Sequence, residues 1–272
     1  MIDKAEHFRS LHQGPPILVL PNAWDAATAR VFEAAGFPAV ATTSAGVAAA
    51  LGYPDGGVVP PREMIEAVSR IARAVQVPVT ADIEDAYGAT PGAVVDTVLR
   101  VIAAGAVGIN IEDYMAGAAN LEPIEQQVGK IAAVVKAAAT AGVRVVVNAR
   151  TDVFLRQVGE ASGRLDATVE RGRAYRAAGA DCVFVPGVID PATIQALVAG
   201  IGPINVLAVA GTPSVAELEQ LGVARISVGS GPMRASIALL QDIAEELKTR
   251  GTYGSFTGRA LPYPDLNDLM KP

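Results

Sequence analysis

The chain has 272 residues, of which 51% are hydrophobic and 18% are charged, and its formal net charge is -6. This size and composition fit one globular domain spanning residues 1–272, with enough apolar side chains for a large core. The scattered Lys and Arg residues form no basic stripe, which argues against nucleic acid as a partner, and no apolar stretch has the length of a membrane span.

The N-terminal segment and the single cysteine bear on the cellular setting. Residues 1–16 mix charged side chains with His7 and His12 and contain no apolar signal-peptide region, so we expect a cytoplasmic protein. Cys182 is the only cysteine, which excludes an internal disulfide. Because it lies within an apolar run, we interpret it as core packing rather than as a catalytic thiol.

Short apolar runs that predict β-strands recur along the chain at residues 17–20, 39–43, 78–81, 106–111, 144–148, 182–185, 204–208 and 225–228. The segments between them have apolar residues at helical spacing, such as Met64, Val68 and Ile71, which predict helices packed against a sheet. Glycine follows four of these predicted helices: Gly36, Gly105, Gly142 and Gly179. Eight such units predict a (β/α)₈ barrel of the TIM type, with a doubly wound open sheet as the alternative.

Acidic residues stand at the ends of two neighbouring predicted strands. Asp82 and Glu84 follow the run 78–81, and Glu112 follows the run 106–111. Because barrel enzymes build their sites at the carboxyl ends of the strands, we expect these carboxylates to share one rim. Together they would repel one another and take up protons unless a cation bound, and all-oxygen ligands favour Mg²⁺ or Mn²⁺. The alternative is that they cap helices or pair with nearby arginines.

Arg150 follows the run 144–148 and would face the acidic strands in a closed barrel. Its planar guanidinium can bind a carboxylate and stabilise negative charge that develops on an oxygen during a reaction. The alternative is a structural ion pair with Asp152 or Asp113.

Three further segments contribute polar groups to the same predicted rim. Residues 22–25 follow the first strand, and Asn22 there could cap a helix or bind a ligand. The Ser44 hydroxyl and the backbone N–H groups near Gly46 could bind a carboxylate. Asp55 lies in a turn-rich loop that could bring it to the outer shell of a metal. An ordinary cap or turn is the alternative for each.

Over nearly its whole length the chain resembles the isocitrate lyase/phosphoenolpyruvate mutase superfamily. The most specific matches are residues 80–84, 108–113 and 148–152, which occur in this order. The resemblance implies a Mg²⁺-dependent lyase that cleaves a C–C bond, or a C–P bond, next to a 2-oxo or 2-hydroxy carboxylate through an enolate. It implies no organic cofactor.

The resemblance also implies roles for individual residues. Asp82 would contact the metal, with Asp55, Glu84 and Glu112 holding its waters. Arg150 would stabilise the enolate. The implied substrate-binding residues are Trp24, Ser44, Ala45, Gly46, Asp82, Arg150 and Asn205. The implied catalytic residues are Arg150, Glu112 and Tyr114.

The chain departs from the superfamily after the fourth strand. Isocitrate and methylisocitrate lyases carry Lys-Lys-Cys-Gly-His or Lys-Arg-Cys-Gly-His there, with the Cys acting as acid/base. Residues 114–121 contain no Cys, Lys or His. Tyr114 or an ordered water could supply the proton, or the reaction could need no such group, as in decarboxylation of an oxaloacetate-like acid. The small residues at 116–119 suit either a flexible lid or an ordinary surface loop.

Two functional hypotheses follow from this departure. The first is an active Mg²⁺-dependent lyase on small 2-oxo or 2-hydroxy acids. The second is a catalytically weak protein that binds metal and 2-oxo acids.

The C-terminal part, residues 233–272, is predicted to form a helix over 235–248 and a tail with several apolar residues. Relatives exchange this helix between subunits, so a homodimer or homotetramer is expected. The turn at 227–232 lies where barrels often bind phosphate, but it has no nearby Lys, so we interpret it as a tight strand-to-helix turn.

Overall fold

The computed structural model of the protein describes residues 1–115 and 117–271. Its sheet is entirely parallel and consists of β1 (Leu18–Leu20), β2 (Asn22–Ala23), β3 (Val40–Thr42), β4 (Val79–Asp82), β5 (Gly108–Glu112), β6 (Val146–Arg150), β7 (Cys182–Val185), β8 (Ile204–Leu207) and β9 (Arg225–Ser227). Strands β1 and β2 belong to one extended segment that is interrupted at Pro21. Because β1 pairs with β9 and β2 pairs with β3, this segment closes the sheet into a barrel. The predicted (β/α)₈ barrel is confirmed.

The helices surround the barrel or extend from it: α1 (Ile2–Ser10), α2 (Ala26–Ala34), α3 (Ser44–Ala50), α4 (Pro61–Ala74), α5 (Pro91–Ala103), α6 (Ile124–Thr140), α7 (Arg164–Ala177), α8 (Pro191–Ile201), α9 (Val215–Gln220), α10 (Gly231–Thr249), α11 (Gly254–Thr257) and α12 (Tyr263–Leu269). Two short 3₁₀ helices cover Leu11–Gln13 and Ala161–Gly163. The four predicted glycine helix ends are confirmed, since each of these glycines has a positive φ just after a helix.

The interior of the barrel is polar, whereas most TIM barrels fill it with branched apolar side chains. Arg225 on β9 is fully buried, and its Nη2 lies 3.4 Å from Oδ1 of Asn110 on β5. Because β6, β7 and β8 separate these two strands on one side, the contact crosses the barrel interior. Asn148 on β6 donates to the same oxygen at 2.7 Å. The alternate residues of β5, Ile109 and Ile111, therefore face the surrounding helices and join the main apolar core.

The N-terminal helix covers the amino end of the barrel. Phe8 and the buried His12 pack there edge to face, with ring centroids 4.8 Å apart. The absence of a side chain at Gly108 leaves room for the phenyl ring, because a Cβ at this position would lie only 2.6 Å from Cε1 of Phe8. His7 and His12 therefore lie at the end of the barrel away from the carboxyl rim. Cys182 is fully buried on β7, as the core interpretation predicts.

Several strands end later in the chain than the apolar runs indicate. Asp82, Glu112 and Arg150 are the last residues of their strands rather than the first residues of loops. Their backbones still join the ladder, with Asp82 opposite Asn110 and Glu112 opposite Arg150. Polar side chains at strand ends thus interrupt the apolar pattern without interrupting the backbone pairing.

The C-terminal helix α10 is longer than the predicted helix over residues 235–248, and the tail beyond it contains α11 and α12. Helix α12 lies against α2, where Arg30 Nε donates to the carbonyl of Leu269 at 3.0 Å. Most of α10 is exposed to solvent. None of the helices in residues 1–115 and 117–271 combines the length and apolar character needed to cross a membrane.

Candidate active site

A cavity of about 220 Å³ opens at the carboxyl ends of the strands. Its lining consists of Asn22, Thr43, Ser44, Ala45, Asp55, Asp82, Asn110, Arg150, Leu155, Phe184, Pro186, Leu207, Ser227, Gly229 and Ser230. Five of the residues predicted for the site line this cavity: Ser44, Ala45, Asp55, Asp82 and Arg150.

Asp82, the last residue of β4, is held from three sides. Its Oδ2 accepts hydrogen bonds from the backbone N–H of Ser44 at 2.9 Å and from the Ser44 hydroxyl at 2.8 Å. Its Oδ1 accepts a longer bond from the Asn110 amide at 3.4 Å, and its backbone N–H donates to Thr42 Oγ1 at 2.8 Å. A carboxylate has about four acceptor sites, so Asp82 keeps acceptor capacity for a ligand in the cavity.

Glu84 follows Asp82 by two residues and belongs to a segment with a strained backbone. Its φ is 54°, and Ala86 and Tyr87 also have positive φ values of 64° and 54°. Such left-handed conformations are costly for residues other than glycine and concentrate at functional sites. Burial, and then repulsion by the carboxylates of Asp82 and Asp55, raises the pKa of Glu84 to about 7. This crowding of carboxylates is the environment that a divalent cation would relieve.

Arg150 lies between two carboxylates. Its Nη1 is 2.7 Å from Glu112 Oε2, and its Nε and Nη2 are 2.7 Å and 3.0 Å from the two carboxylate oxygens of Asp152. Burial alone would lower the pKa of Arg150, but these two neighbours outweigh it and raise that pKa above its ordinary value. A guanidinium has five N–H donors, so the two hydrogen bonds to Asp152 and the ion pair with Glu112 leave donors for a ligand.

The alternative reading of Arg150 was an ion pair with Asp152 or Asp113. The structure contains the pair with Asp152, whereas Asp113 pairs with Arg171. Asp113 instead accepts from the Tyr175 hydroxyl at 2.8 Å and pairs with Arg171 at 3.1 Å. Its carboxylate also accepts the backbone N–H of Asp152 at 3.0 Å, so it supports the residue that orients Arg150.

Six predicted site residues lie outside the cavity lining: Trp24, Gly46, Glu84, Glu112, Tyr114 and Asn205. Trp24 packs against the first turn of α3, where a Cβ at Gly46 would lie 3.0 Å from the Trp24 Cβ. The Gly46 N–H donates to Thr43 Oγ1 at 3.3 Å, which caps that helix. Asn205 lies in the barrel interior and donates to Ser227 Oγ at 3.0 Å, while Leu207 occupies the rim.

Tyr114 contributes to a groove beside the cavity. Its ring lies against the guanidinium of Arg156, whose Cζ is 3.0 Å from the ring centroid. The same groove is lined by residues 118–121 and 156–159. Of the predicted lid segment, Ala116 lies outside the described residues.

Four carboxylates at and near the cavity are candidates for binding a metal ion: Asp55, Asp82, Glu84 and Glu112. Within residues 1–115 and 117–271, no group of three or more His, Cys, Asp or Glu side chains converges as a set of direct metal ligands. Asp55 and Asp82 line the cavity, whereas Glu84 and Glu112 do not, although Glu84 is close enough to be repelled by both and Glu112 contacts Arg150. Mg²⁺ usually keeps several waters and uses one or two protein carboxylates. The donor set therefore fits a hydrated cation bound through Asp82 better than a cage of four carboxylates.

Sequence reasoning did not identify part of the lining as candidate site residues. Asn110 interrupts an apolar run, which was an available signal for a buried polar role. Phe184 lies inside an apolar run, and only its pairing opposite Arg150 shows that it reaches the rim. Asn22, in contrast, was a candidate for capping a helix or binding a ligand. It lines the cavity and caps no helix, because its Oδ1 accepts from the N–H groups of Val228 and Gly229 at 2.9 Å each. The capping residue of α2 is Asp25.

The chain is similar to several known proteins. A family model described as phosphoenolpyruvate phosphomutase matches residues 8–248. A structure from Burkholderia cenocepacia J2315, whose assignment as a phosphonomutase is provisional, is similar at 45% identity and a TM-score of 0.86, covering 89% of this chain and 99% of that one.

Several relatives of this chain have names that state a reaction. The 2,3-dimethylmalate lyase of Eubacterium barkeri is 30% identical, over 99% of this chain and 94% of its own length. A crystal structure of a 2,3-dimethylmalate lyase has a TM-score of 0.88 at 28% identity, covering 100% and 96% of the two chains. The oxaloacetate decarboxylase of Ectopseudomonas mendocina is 32% identical, over 72% of this chain and 67% of its own.

Proposed function

Because this chain belongs to the phosphoenolpyruvate phosphomutase family, within the isocitrate lyase/phosphoenolpyruvate mutase superfamily, we propose that it is a Mg²⁺-dependent C–C lyase. Its substrate is a small 2-oxo or 2-hydroxy carboxylate, and the reaction passes through an enolate. The observation that carries the proposal is that Asp82 and Arg150 line one cavity, each held in place by other polar groups. Relatives named for 2,3-dimethylmalate and oxaloacetate support this substrate class.

In the proposed site, Asp82 would hold the Mg²⁺ or Mn²⁺ ion, and Asp55, Glu84 and Glu112 would bind its waters. When bound, the cation would supply Lewis-acid polarisation of the substrate oxygens. Ser44 and Ala45 contact the substrate carboxylate from the first turn of α3. The Ser44 hydroxyl can rotate from Asp82 to a substrate oxygen, because a hydroxyl both donates and accepts.

Arg150 is proposed to stabilise the negative charge of the enolate with the N–H groups that do not bond to Asp152 or contact Glu112. Glu112 and Asp152 fix the plane of its guanidinium before substrate binds, so little reorganisation is needed as the charge develops. The Phe184 ring centroid lies 5.9 Å from the Arg150 Cζ, a cation–π contact that helps to hold the guanidinium in place.

The roles of Trp24, Gly46 and Asn205 in this proposal are indirect. Trp24 and Gly46 set the position of the Ser44 turn by close packing. Asn205 acts through the Ser227 hydroxyl, which lines the cavity. Tyr114 can serve as the proton donor only if its loop moves, because its ring lies against Arg156 in the neighbouring groove.

A second candidate function rests on the loop at residues 114–121. It lacks Cys, Lys and His, and Tyr114 does not line the cavity. A catalytically weak protein that binds Mg²⁺ and 2-oxo acids would retain Asp82 and Arg150 but lack the proton donor.

Incubation with Mg²⁺ and a panel of dicarboxylates and phosphonates, with 2-oxo acid formation as the readout, separates the two functions. The lyase proposal expects metal-dependent product from at least one substrate. Thermal stabilisation by Mg²⁺ and a 2-oxo acid without any product would favour the binding function instead.

A second copy of the chain is proposed to cover the exposed face of α10, giving a homodimer or homotetramer. Ile237, Leu240 and Leu247 lie along one side of this helix and are 48%, 57% and 45% exposed. Contiguous exposed apolar residues on a helix typically mark a protein interface. Closed symmetric assembly would bury this face on every subunit.

A further inference from the structure

A buried arginine extends across the interior of the barrel, beneath the cavity. Arg225 is fully buried at the start of β9, and its Nη2 lies 3.4 Å from Oδ1 of Asn110 on β5. Within the described part of the chain, its Nε and Nη1 have no hydrogen-bond partner, and it forms no ion pair. A buried guanidinium of this kind carries a desolvation penalty that an apolar side chain of similar length would avoid. Its presence here indicates a role beyond packing.

Asp82 is the carboxylate whose charge this cation senses. Burial lowers the pKa of Arg225 to about 10, and Cys182 and Asp82 oppose this shift. Burial also raises the pKa of the Cys182 thiol to about 11, so the thiol is neutral at pH 7 and Asp82 is the anion of the two. Arg225 remains protonated at that pH, and its charge therefore acts on the carboxylate that is proposed to hold the metal.

Asn110 connects Arg225 to Asp82. Its amide nitrogen donates to Oδ1 of Asp82 at 3.4 Å. Its own Oδ1 accepts from Arg225 at 3.4 Å and from the Asn148 amide at 2.7 Å. If the amide were turned over, its oxygen would face the carboxylate and its NH₂ group would face two donors. One orientation of the amide therefore suits all three neighbours, and it directs the NH₂ group to Asp82.

The oxygen of Asp82 that receives this bond is the one with more free acceptor capacity. Oδ2 already accepts two hydrogen bonds from Ser44, at 2.9 Å and 2.8 Å, whereas Oδ1 accepts the single long bond from Asn110. In the proposed site, a cation would therefore bind through Oδ1. A group that hydrogen-bonds to a metal ligand orients that ligand and tunes its affinity for the metal.

We propose that Arg225 is a positioning residue for Asp82, because it helps to hold the Asn110 amide in the orientation that supports the metal-binding oxygen. This inference rests on the proposed function, which assigns Asp82 to the cation. Arg225 does not line the cavity, so it acts through Asn110 rather than on the metal or the substrate. Asn148 is a second donor to the same oxygen, so loss of Arg225 should weaken metal binding without abolishing it.

Binding of Mn²⁺ in the absence of substrate tests the inference, with the free ion measured by electron paramagnetic resonance. Arg225→Met keeps most of the side-chain length and removes the guanidinium, so we expect the dissociation constant for Mn²⁺ to rise about tenfold. Arg225→Gln, whose side chain ends two atoms earlier, should weaken binding to a similar extent. This second variant also provides the test if Arg225→Met does not fold.

Phe8→Leu is the control for a loosened barrel interior. Phe8 is fully buried at the amino end of the barrel and has no contact with Asn110 in the hydrogen-bond network above. The substitution should lower the midpoint of urea unfolding and leave the dissociation constant for Mn²⁺ unchanged. An equal loss of Mn²⁺ affinity in Phe8→Leu would show a general effect of destabilisation and would overturn the role of Arg225.

A double-mutant cycle tests the route through Asn110. Asn110→Ala should weaken Mn²⁺ binding at least as much as Arg225→Met does, and the double variant should bind no more weakly than Asn110→Ala alone. If the two losses multiplied instead, Arg225 would act independently of Asn110 and the proposed route would be wrong.

The wild type separates failure of the inference from failure of the proposed function. If it binds Mn²⁺ and the folded Arg225 variants bind the ion equally well, the inference is overturned while the proposed function stands. If the wild type binds neither Mn²⁺ nor Mg²⁺, both are overturned.

Discussion

Ser44 donates two hydrogen bonds to the same carboxylate oxygen of Asp82, from its backbone N–H at 2.9 Å and from its hydroxyl at 2.8 Å. These bonds join the start of α3 to the end of β4 and fix the carboxylate at the cavity wall. A metal ligand held in this way needs no rearrangement before it binds a cation.

Replacing Asp82 should abolish metal-dependent turnover. Asp82→Asn keeps the size of the side chain but removes the charge that binds Mg²⁺, so we expect kcat/KM to fall by about a hundredfold or more. Initial rates of 2-oxo acid formation across a Mg²⁺ titration measure this. Asp85→Asn is the control, because Asp85 lies in the same segment but outside the cavity lining. Similar losses in both variants would contradict the role of Asp82.

Asp152 is expected to position Arg150 rather than contact substrate. Asp152→Asn weakens the two bonds that orient the guanidinium, so kcat should fall by about ten- to a hundredfold with little change in KM. Arg156→Gln is the control, because it removes another partner of Asp152 and leaves the bonds to Arg150 in place. Steady-state kinetics that show a larger kcat loss for Arg156→Gln would count against this assignment.

Most of the barrel and part of the site were predictable from local sequence signals. Apolar runs separated by helices that end in Gly36, Gly105, Gly142 and Gly179 specify repeated βα units, because only glycine adopts the left-handed cap without strain. Polar residues that directly follow an apolar run indicated the ends of the strands and therefore the rim of the barrel. Asp82 was identified in this way, and it lines the cavity.

The rest of the cavity depends on contacts between distant segments. Leu207 and Phe184 lie within apolar runs, so pairing register and barrel closure decide which of these residues reach the rim. Asn205 is two residues before Leu207 on β8, so its side chain lies one layer further from the rim, inside the barrel. The position of Tyr114 depends on stacking with Arg156, which no spacing in the sequence indicates.

The buried His12 should make stability depend on pH. Burial, and then repulsion by Arg225, lowers the pKa of His12 from 6.5 to about 3. Below pH 6.5 the imidazole of His12 is therefore protonated in the unfolded chain but remains neutral in the folded chain. The free energy of unfolding keeps the full contribution of this group above pH 6.5 and loses it progressively as the pH falls toward 3. The expected loss from this group is about 1.4 kcal/mol per pH unit within that window.

Denaturant unfolding of the wild type and of His12→Gln between pH 7 and pH 4 measures this effect. The variant should show a shallower decline in the free energy of unfolding, while His7→Gln, at an exposed position in α1, should follow the wild type. If the free energy of unfolding of His12→Gln declined with pH as steeply as that of the wild type, His12 would be ruled out as the source of the pH dependence.

Gly108 should be intolerant of a side chain. Gly108→Ala places a methyl group 2.6 Å from Cε1 of Phe8 and 2.7 Å from Oγ1 of Thr80, so we expect destabilisation of about 1–3 kcal/mol. Gly129→Ala is the control within α6, because nothing lies within 4 Å of its added Cβ, and a gain of about 0.5–1 kcal/mol is expected there. Chemical denaturation compares the two. Equal stability of both variants would show that Phe8 does not fill the space beside Gly108.

The exposed face of α10 should control the oligomeric state. Leu240→Asp places a charge on the apolar side of the helix, so light scattering should show a monomer where the wild type gives a dimer or tetramer. Gln241→Asp, at the adjacent position, should keep the wild-type mass. A monodisperse wild-type monomer would contradict the proposed assembly.

The proposed chemistry depends on Arg150 and a divalent cation acting on one substrate. The decisive measurement is 2-oxo acid formation by the wild type and by Arg150→Ala, with Mg²⁺ and with a chelator, on a substrate that the panel identifies. We predict product formation that stops on chelation and falls by about a hundredfold or more in Arg150→Ala. Turnover that persists in the chelated enzyme, or that is unchanged in Arg150→Ala, would contradict the account.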